Sequence, residues 1–156
     1  MASTIDNATL TVQVREEVTL NNRKLGGQNV HTITGINEVS ERIFTVPTSE
    51  VAILGLSSSV GAGTYVTDDV QYMRLTNLDN TNFVRLTFIS GSSTDAGAKA
   101  NRFDMKLEAE RSMIFTNASI SGSNENLAFS SFSNFTDLKA TADTAAVDVE
   151  LFVASK

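Results

Sequence analysis

Val70-Gln71-Tyr72-Met73-Arg74-Leu75-Thr76-Asn77-Leu78-Asp79-Asn80-Thr81-Asn82-Phe83-Val84-Arg85-Leu86-Thr87-Phe88-Ile89 is the stretch whose reading decides the fold class. Two runs rich in β-branched and aromatic residues flank Asn77 to Asn82. Asn and Asp side chains hydrogen-bond their own backbone, so such a cluster marks a turn. The spacing predicts two strands joined as a hairpin.

The same period of two continues on both sides. Leu10, Val12 and Val14 alternate with Thr9, Thr11 and Gln13, and a turn-like Asn21-Asn22 follows Val18-Thr19-Leu20. Val30 to Ile36 is rich in β-branched residues. Arg42, Phe44 and Val46 alternate against Glu41, Ile43 and Thr45, and Pro47 closes that strand because it cannot donate to a ladder. Val51 to Leu56 is a short apolar run that predicts a strand buried on both faces. Phe103, Met105 and Leu107 alternate with charged residues, Ser112 to Thr116 adds a strand, and Val147, Val149, Leu151 and Val153 alternate cleanly. Ser57–Gly63 and Gly91–Ala100 predict loops. Only Asn124 to Phe135 carries a weak helical spacing.

Eight to ten short strands in 156 residues predict an all-β protein, an antiparallel two-sheet sandwich. A jelly roll is the favoured topology and an immunoglobulin-like domain the alternative. No linker or repeat divides the chain, so residues 1–156 form one expected domain, with residues 1–8 as an N-terminal arm.

Composition removes whole classes of chemistry. There is no Cys and no Trp, and His31 is the single histidine. Thiolate catalysis and cysteine-based metal sites are excluded, and a multi-histidine cage needs several copies of the chain. A formal charge of -6 opposes binding of nucleic acid or anionic lipid through a basic face. The N-terminal sequence lacks a basic start and an apolar stretch, and no apolar run approaches the ~20 residues of a bilayer span. No membrane and no nucleic-acid partner is expected.

The remaining candidates are weighed singly. His31 sits on a predicted strand and reads as a strand-face or interface residue. Glu16/Glu17, Asp68/Asp69 and Asp148/Glu150 are the paired carboxylates that glycoside hydrolysis requires, but adjacent strand residues point to opposite faces and Asp148/Glu150 belong to a solvent face. Asp79, Asn80 and Asn82 offer calcium-type oxygens or a self-bonded turn. Gly61-Ala62-Gly63 precedes the strand-like Thr64-Tyr65-Val66 and is no phosphate loop. No catalytic residue, metal ligand or cofactor is expected. Phe129, Phe132 and Phe135 stand among serines as either a seal for one end of the core or an apolar partner interface.

The stretch Tyr72 to Phe88, followed by Phe103-Asp104-Met105-Lys106-Leu107 and Ser112-Met113-Ile114-Phe115-Thr116, is similar to small virion structural proteins of tailed bacteriophages, particularly marine ones. Their pattern is I-x-N-L-D-x-T-N-x-V-x-L-x-F, then F-x-L-x-L-x-x-G-x-S-F-I. Thr45-Val46-Pro47-Thr48 and Asp148 to Ala154 match in the same manner. Glu110-Arg111 departs from it where the pattern often has Gly, which puts that turn in question. The resemblance implies a jelly-roll subunit without catalysis, located in the virion and assembled in the bacterial host cytoplasm. The expectation is a protein that decorates or cements the capsid exterior as a homo-oligomer, a trimer being favoured. Its partners are then its own copies and the major capsid protein or another virion protein. The alternatives are a tail, neck or fibre-like appendage and a carbohydrate-binding module.

Overall fold

The computed structural model describes residues 6–90, 101–116 and 135–156, and every regular element among them is a strand. β1 (Ala8–Arg15), β2 (Val18–Leu20), β3 (Arg23–Leu25) and β4 (Gln28–Ile36) come first, in two small sheets of their own. Then follow β5 (Glu38–Val46), β6 (Val51–Ser57), β7 (Thr64–Val66), β8 (Val70–Asn77) and β9 (Val84–Ser90). β10 (Asn101–Leu107), β11 (Ser112–Thr116), β12 (Phe135–Ala142) and β13 (Val147–Ser155) complete the set.

β5 to β13 build an antiparallel sandwich. One sheet has the order β11-β8-β13-β5, and the other β10-β9-β12-β6, with the short β7 added parallel to β6. The pairing is nested: β5 with β13, β6 with β12, β8 with β11 and β9 with β10. Successive pairs fall alternately in the two sheets, an order compatible with a jelly roll.

The alternation seen in the sequence sets the core. Val147, Val149, Leu151 and Val153 of β13 are all buried, and they meet Leu86 and Phe88 of β9 and Leu138 of β12 in one cluster fed by both sheets. Their alternates Asp148 and Glu150 face outward, where Asp148 accepts from the Thr45 hydroxyl at 2.7 Å and Glu150 takes Arg74 at 3.0 Å. In β6, Ile53 and Leu54 are both buried, as a strand covered on both faces requires, while Ala52 is exposed.

Two expectations are corrected. The runs on either side of Asn77–Asn82 are strands, but they do not pair with each other: β8 lies in one sheet and β9 in the other. The Asn/Asp cluster turns a corner between sheets. The buried Asn77 amide donates to the carbonyls of Asn82 at 2.9 Å and Leu107 at 3.3 Å, and its oxygen accepts the Asp79 N–H at 2.9 Å. Asp79 Oδ1 accepts the N–H groups of Thr81 at 2.7 Å and Asn82 at 2.6 Å. A two-residue turn would force its flanking strands to pair; this longer, internally bonded turn does not. Leu75 and Leu86 therefore enter the same core from opposite sheets.

The second correction concerns β1 to β4, which the alternation assigns to the sandwich but which stand outside it as a hairpin. Asn21 and Asn22 hold its tip with φ of 50° and 63°, the left-handed pair of a type I′ turn. Residues 1–5 lie outside the described residues, Asp6 and Asn7 are exposed, and Ala8 already pairs with Ile36. Gly91–Ala100 and all of the weakly helical stretch except Phe135 also lie outside them; Phe135 opens β12. Glu110 has a φ of 56°, in the region glycine favours, at the turn where the resembling pattern often carries glycine.

Candidate interaction surface

The hairpin is one arm from base to tip. The register of β1 with β4 pairs Leu10 with Ile33, Val12 with His31 and Arg15 with Gln28. Glu16 and Gly27 then exchange both backbone hydrogen bonds, at 2.9 and 3.1 Å, and Val18 pairs with Leu25 and Leu20 with Arg23. No residue is inserted from Thr9 to the tip, so one face carries Leu10, Val12, Val14, Glu16, Val18 and Leu20 on the outgoing strand. It carries Arg23, Leu25, Asn29, His31 and Ile33 on the return. Gly26 marks the joint: its φ is 134°, and a Cβ there would lie 2.0 Å from the Glu16 carbonyl oxygen. At about 3.4 Å per residue, Ala8 to Leu20 extends roughly 40 Å if straight.

The base of this face is seated. Leu10, Val12 and Ile33 pack with Ile36 against Tyr72, Phe152 and Ala154 on the outer side of the four-stranded sheet. A groove of about 390 Å³ runs beneath β1, lined by Leu10, Val12, Arg74, Ile114 and Phe152 among others. Arg74 lies there 6.0 Å from the centre of the Phe152 ring, 3.0 Å from Glu150 and 3.8 Å from Glu41. Burial pushes the Tyr72 phenol up, against the opposing charge of Arg74.

The outer half of the face is not seated. Val14 is 45% exposed, Val18 55%, Leu20 60% and Leu25 49%. Beside them, Glu17 accepts from Arg15 at 2.7 Å and pairs with the Lys24 ammonium at 3.5 Å, whereas Arg23 has no carboxylate partner among the described residues. The same sheet offers a second bare area on its edge strand β5. Register places Val39, Glu41 and Ile43 outward, and Val39 is 54% and Ile43 64% exposed. The outer face of the other sheet differs, for register puts Arg85, Asp104, Lys106 and Lys139 there. Nearby, Glu50 is engaged by Arg102 and by Lys139 at 3.2 Å; desolvation raises its pKa, but these hydrogen bonds and charges outweigh it and hold Glu50 below the usual carboxylate range.

The residues singled out in the sequence do not converge. His31 is exposed on β4 of the arm, Glu16 and Glu17 lie at the arm's joint, and Asp68 and Asp69 sit in the turn before β8. Among the described residues, no group of three or more His, Cys, Asp or Glu side chains is placed to hold a metal ion. Asp79 is held below the usual carboxylate range by the backbone amides of Asn82 and Thr81. Gly63 has a φ of 76° in the turn that leads into β7.

Of the three aromatics, Phe129 and Phe132 lie outside the described residues. Phe135 is 2% exposed and sits edge-on to Phe88 at 5.7 Å and Phe103 at 5.8 Å, so it seals the core. The exposed apolar face of the arm was missed as a surface. Its signal was present in the sequence as the alternation Leu10-Val12-Val14-Val18-Leu20, but alternation does not say where the matching face lies.

Strand order and surface together define an all-β sandwich that carries a half-seated apolar hairpin arm. No family model, curated protein or solved structure matches the chain.

Proposed function

We propose that this chain is a non-enzymatic structural subunit of a tailed-phage virion, which decorates or cements the capsid exterior as a homo-oligomer, with a trimer favoured. The single observation that carries the assembly reading is the outer half of the arm: four aliphatic side chains on one face, each about half exposed or more. A monomeric protein keeps such side chains scattered, and a cluster of them such as Val18, Leu20 and Leu25 at the tip marks a contact surface. The placement in a virion rests on the resemblance of the Tyr72–Phe88 and Phe103–Thr116 stretches. The sandwich suits the role, because its tightly filled core keeps the body rigid while the arm reaches a neighbour.

Quantitative mass spectrometry of gradient-purified phage particles from the natural source tests this reading. The expected result is a fixed, high ratio of this chain to the major shell protein. A small fixed number per particle moves the chain to a tail or neck appendage. Its absence from particles overturns the virion reading.

A further inference from the structure

We infer that the tip of the arm docks on the outer face of β5 in a second copy of this chain, so that arms pass from protomer to protomer. The inference rests on the assembly reading above and names the partner surface for it.

The arm's own sheet is divided in two. The seated half of the arm packs on Tyr72 of β8 and on Phe152 and Ala154 of β13, with Arg74 of β8 and Ile114 of β11 lining the groove beside it. β5 lies at the opposite edge of that sheet from β11, and its outward residues stay bare. Leu20 and Ile43 are both more than half exposed in the same molecule, so the tip does not cover its own β5. A neighbouring copy presents the same bare strand.

The two surfaces match in spacing and in charge. The tip presents Leu25 and Arg23 two residues apart on β3, with Val18 and Leu20 opposite them. β5 presents Val39, Glu41 and Ile43 at the same two-residue step, about 6.8 Å in any strand. Setting Arg23 against Glu41 brings Leu25 onto an aliphatic neighbour, Val39 or Ile43, in either strand direction. Arg23 lacks a carboxylate partner among the described residues, and Arg74 sits closer to Glu150 than to Glu41, which leaves Glu41 able to accept. The contact also continues one already made, since the same face of the arm packs on the outer side of this same sheet at its base. Because arm tip and β5 are different surfaces, a one-way contact is heterologous and makes a ring where the rotation closes, whereas a reciprocal exchange of arms makes a two-fold dimer.

The test is sedimentation velocity of the full chain across roughly 1–100 μM, the range that resolves weak to moderate association. Wild type is expected to assemble. Arg23→Glu and Glu41→Lys, each alone, are expected to weaken assembly at least about tenfold, and the two together on one chain to restore it, as a direct charge pair requires. The chain has no cysteine, so a Leu25→Cys protomer mixed with a Val39→Cys or with an Ile43→Cys protomer is expected to give a cross-linked dimer in one of the two mixtures, which no protomer gives alone. All five positions are exposed, and unchanged melting temperatures show that the variants fold. A wild type that stays monomeric overturns the inference, as does assembly lost on Arg23→Glu but untouched by Glu41→Lys. Either result leaves the count of copies in purified particles free to stand or fall by itself.

Discussion

β1 and β13 are built on one rule and end in opposite places. Thr9-Leu10-Thr11-Val12-Gln13-Val14 alternates as regularly as Val147-Asp148-Val149-Glu150-Leu151. In β13 the apolar set is buried to within 2% of complete, whereas in β1 it runs from half-buried at Leu10 and Val12 to nearly half exposed at Val14. Alternation states that a strand has an apolar face. Whether that face is filled by the same chain or by another depends on distant strands, which no local pattern encodes. The body has its partner strands within the fold; the arm has them for half its length.

That contrast is broken most directly in the core. Leu86→Ala removes a fully buried side chain of the body, and the expected cost is about 3 kcal/mol, read as a fall in melting temperature of roughly 10 °C. Leu20→Ala on the arm is expected to change stability by less than about 0.5 kcal/mol while weakening self-association. Equal destabilisation by the two variants would show that the arm is part of the body's cooperative unit.

The corner between the sheets comes next. Asn77→Ala leaves the Asn82 and Leu107 carbonyls and the Asp79 amide without their partner. The expected loss is about 2 kcal/mol in denaturant unfolding, against no change in the oligomeric state set by the arm. A variant that unfolds normally but no longer assembles would couple the corner to the arm.

Asp79 sharpens the comparison through pH. Its folded pKa is depressed by the amides of Asn82 and Thr81, so its contribution is fully present above the unfolded value near ~3.9 and is lost as pH falls through the lower folded value. Wild type is expected to exceed Asp79→Asn in urea midpoint at neutral pH, with the gap closing in strong acid. A gap of constant size down to the folded pKa and below would assign the effect to geometry instead of charge.

The smallest expected effect is at Glu110. Its φ of 56° is unfavourable for a side chain with a Cβ. Glu110→Gly is expected to raise stability by no more than about 1 kcal/mol, since relief of strain is offset by the greater freedom of glycine in the unfolded chain. A loss of stability would mean that the Glu110 side chain holds the turn through contacts of its own.

Much of the fold was legible. Most of the strands, the inward set of β13 and the tight turn at Asn21-Asn22 follow from alternation and turn chemistry, because both act over a few residues; β3 and the central β12 were not read as strands, and the alternation in β5 did not say which set faces inward. The corner at Asn77–Asn82 was not legible as a corner. Its bonds from Asn77 reach Leu107, and a local reading sees only a polar cluster between two strands. The contact surface was less legible still. Three phenylalanines among serines drew attention, yet Phe135 is core, and the stripe that is open consists of ordinary valines and leucines on a strand like any other.

The nested pairing also dictates an order of events in time. β5 waits for β13, and Thr45 bonds Asp148 across 103 residues of chain. Sheets closed by such distant pairings assemble in milliseconds to seconds, whereas a hairpin closed by a tight turn forms in about 1–10 μs. The arm's local pairing therefore forms before its sheet exists, and it is held only when that sheet receives its base. During synthesis it emerges before the strands of the sandwich, and Leu10, Val12 and Ile33 remain open to chance encounters until β8 and β13 arrive to receive them.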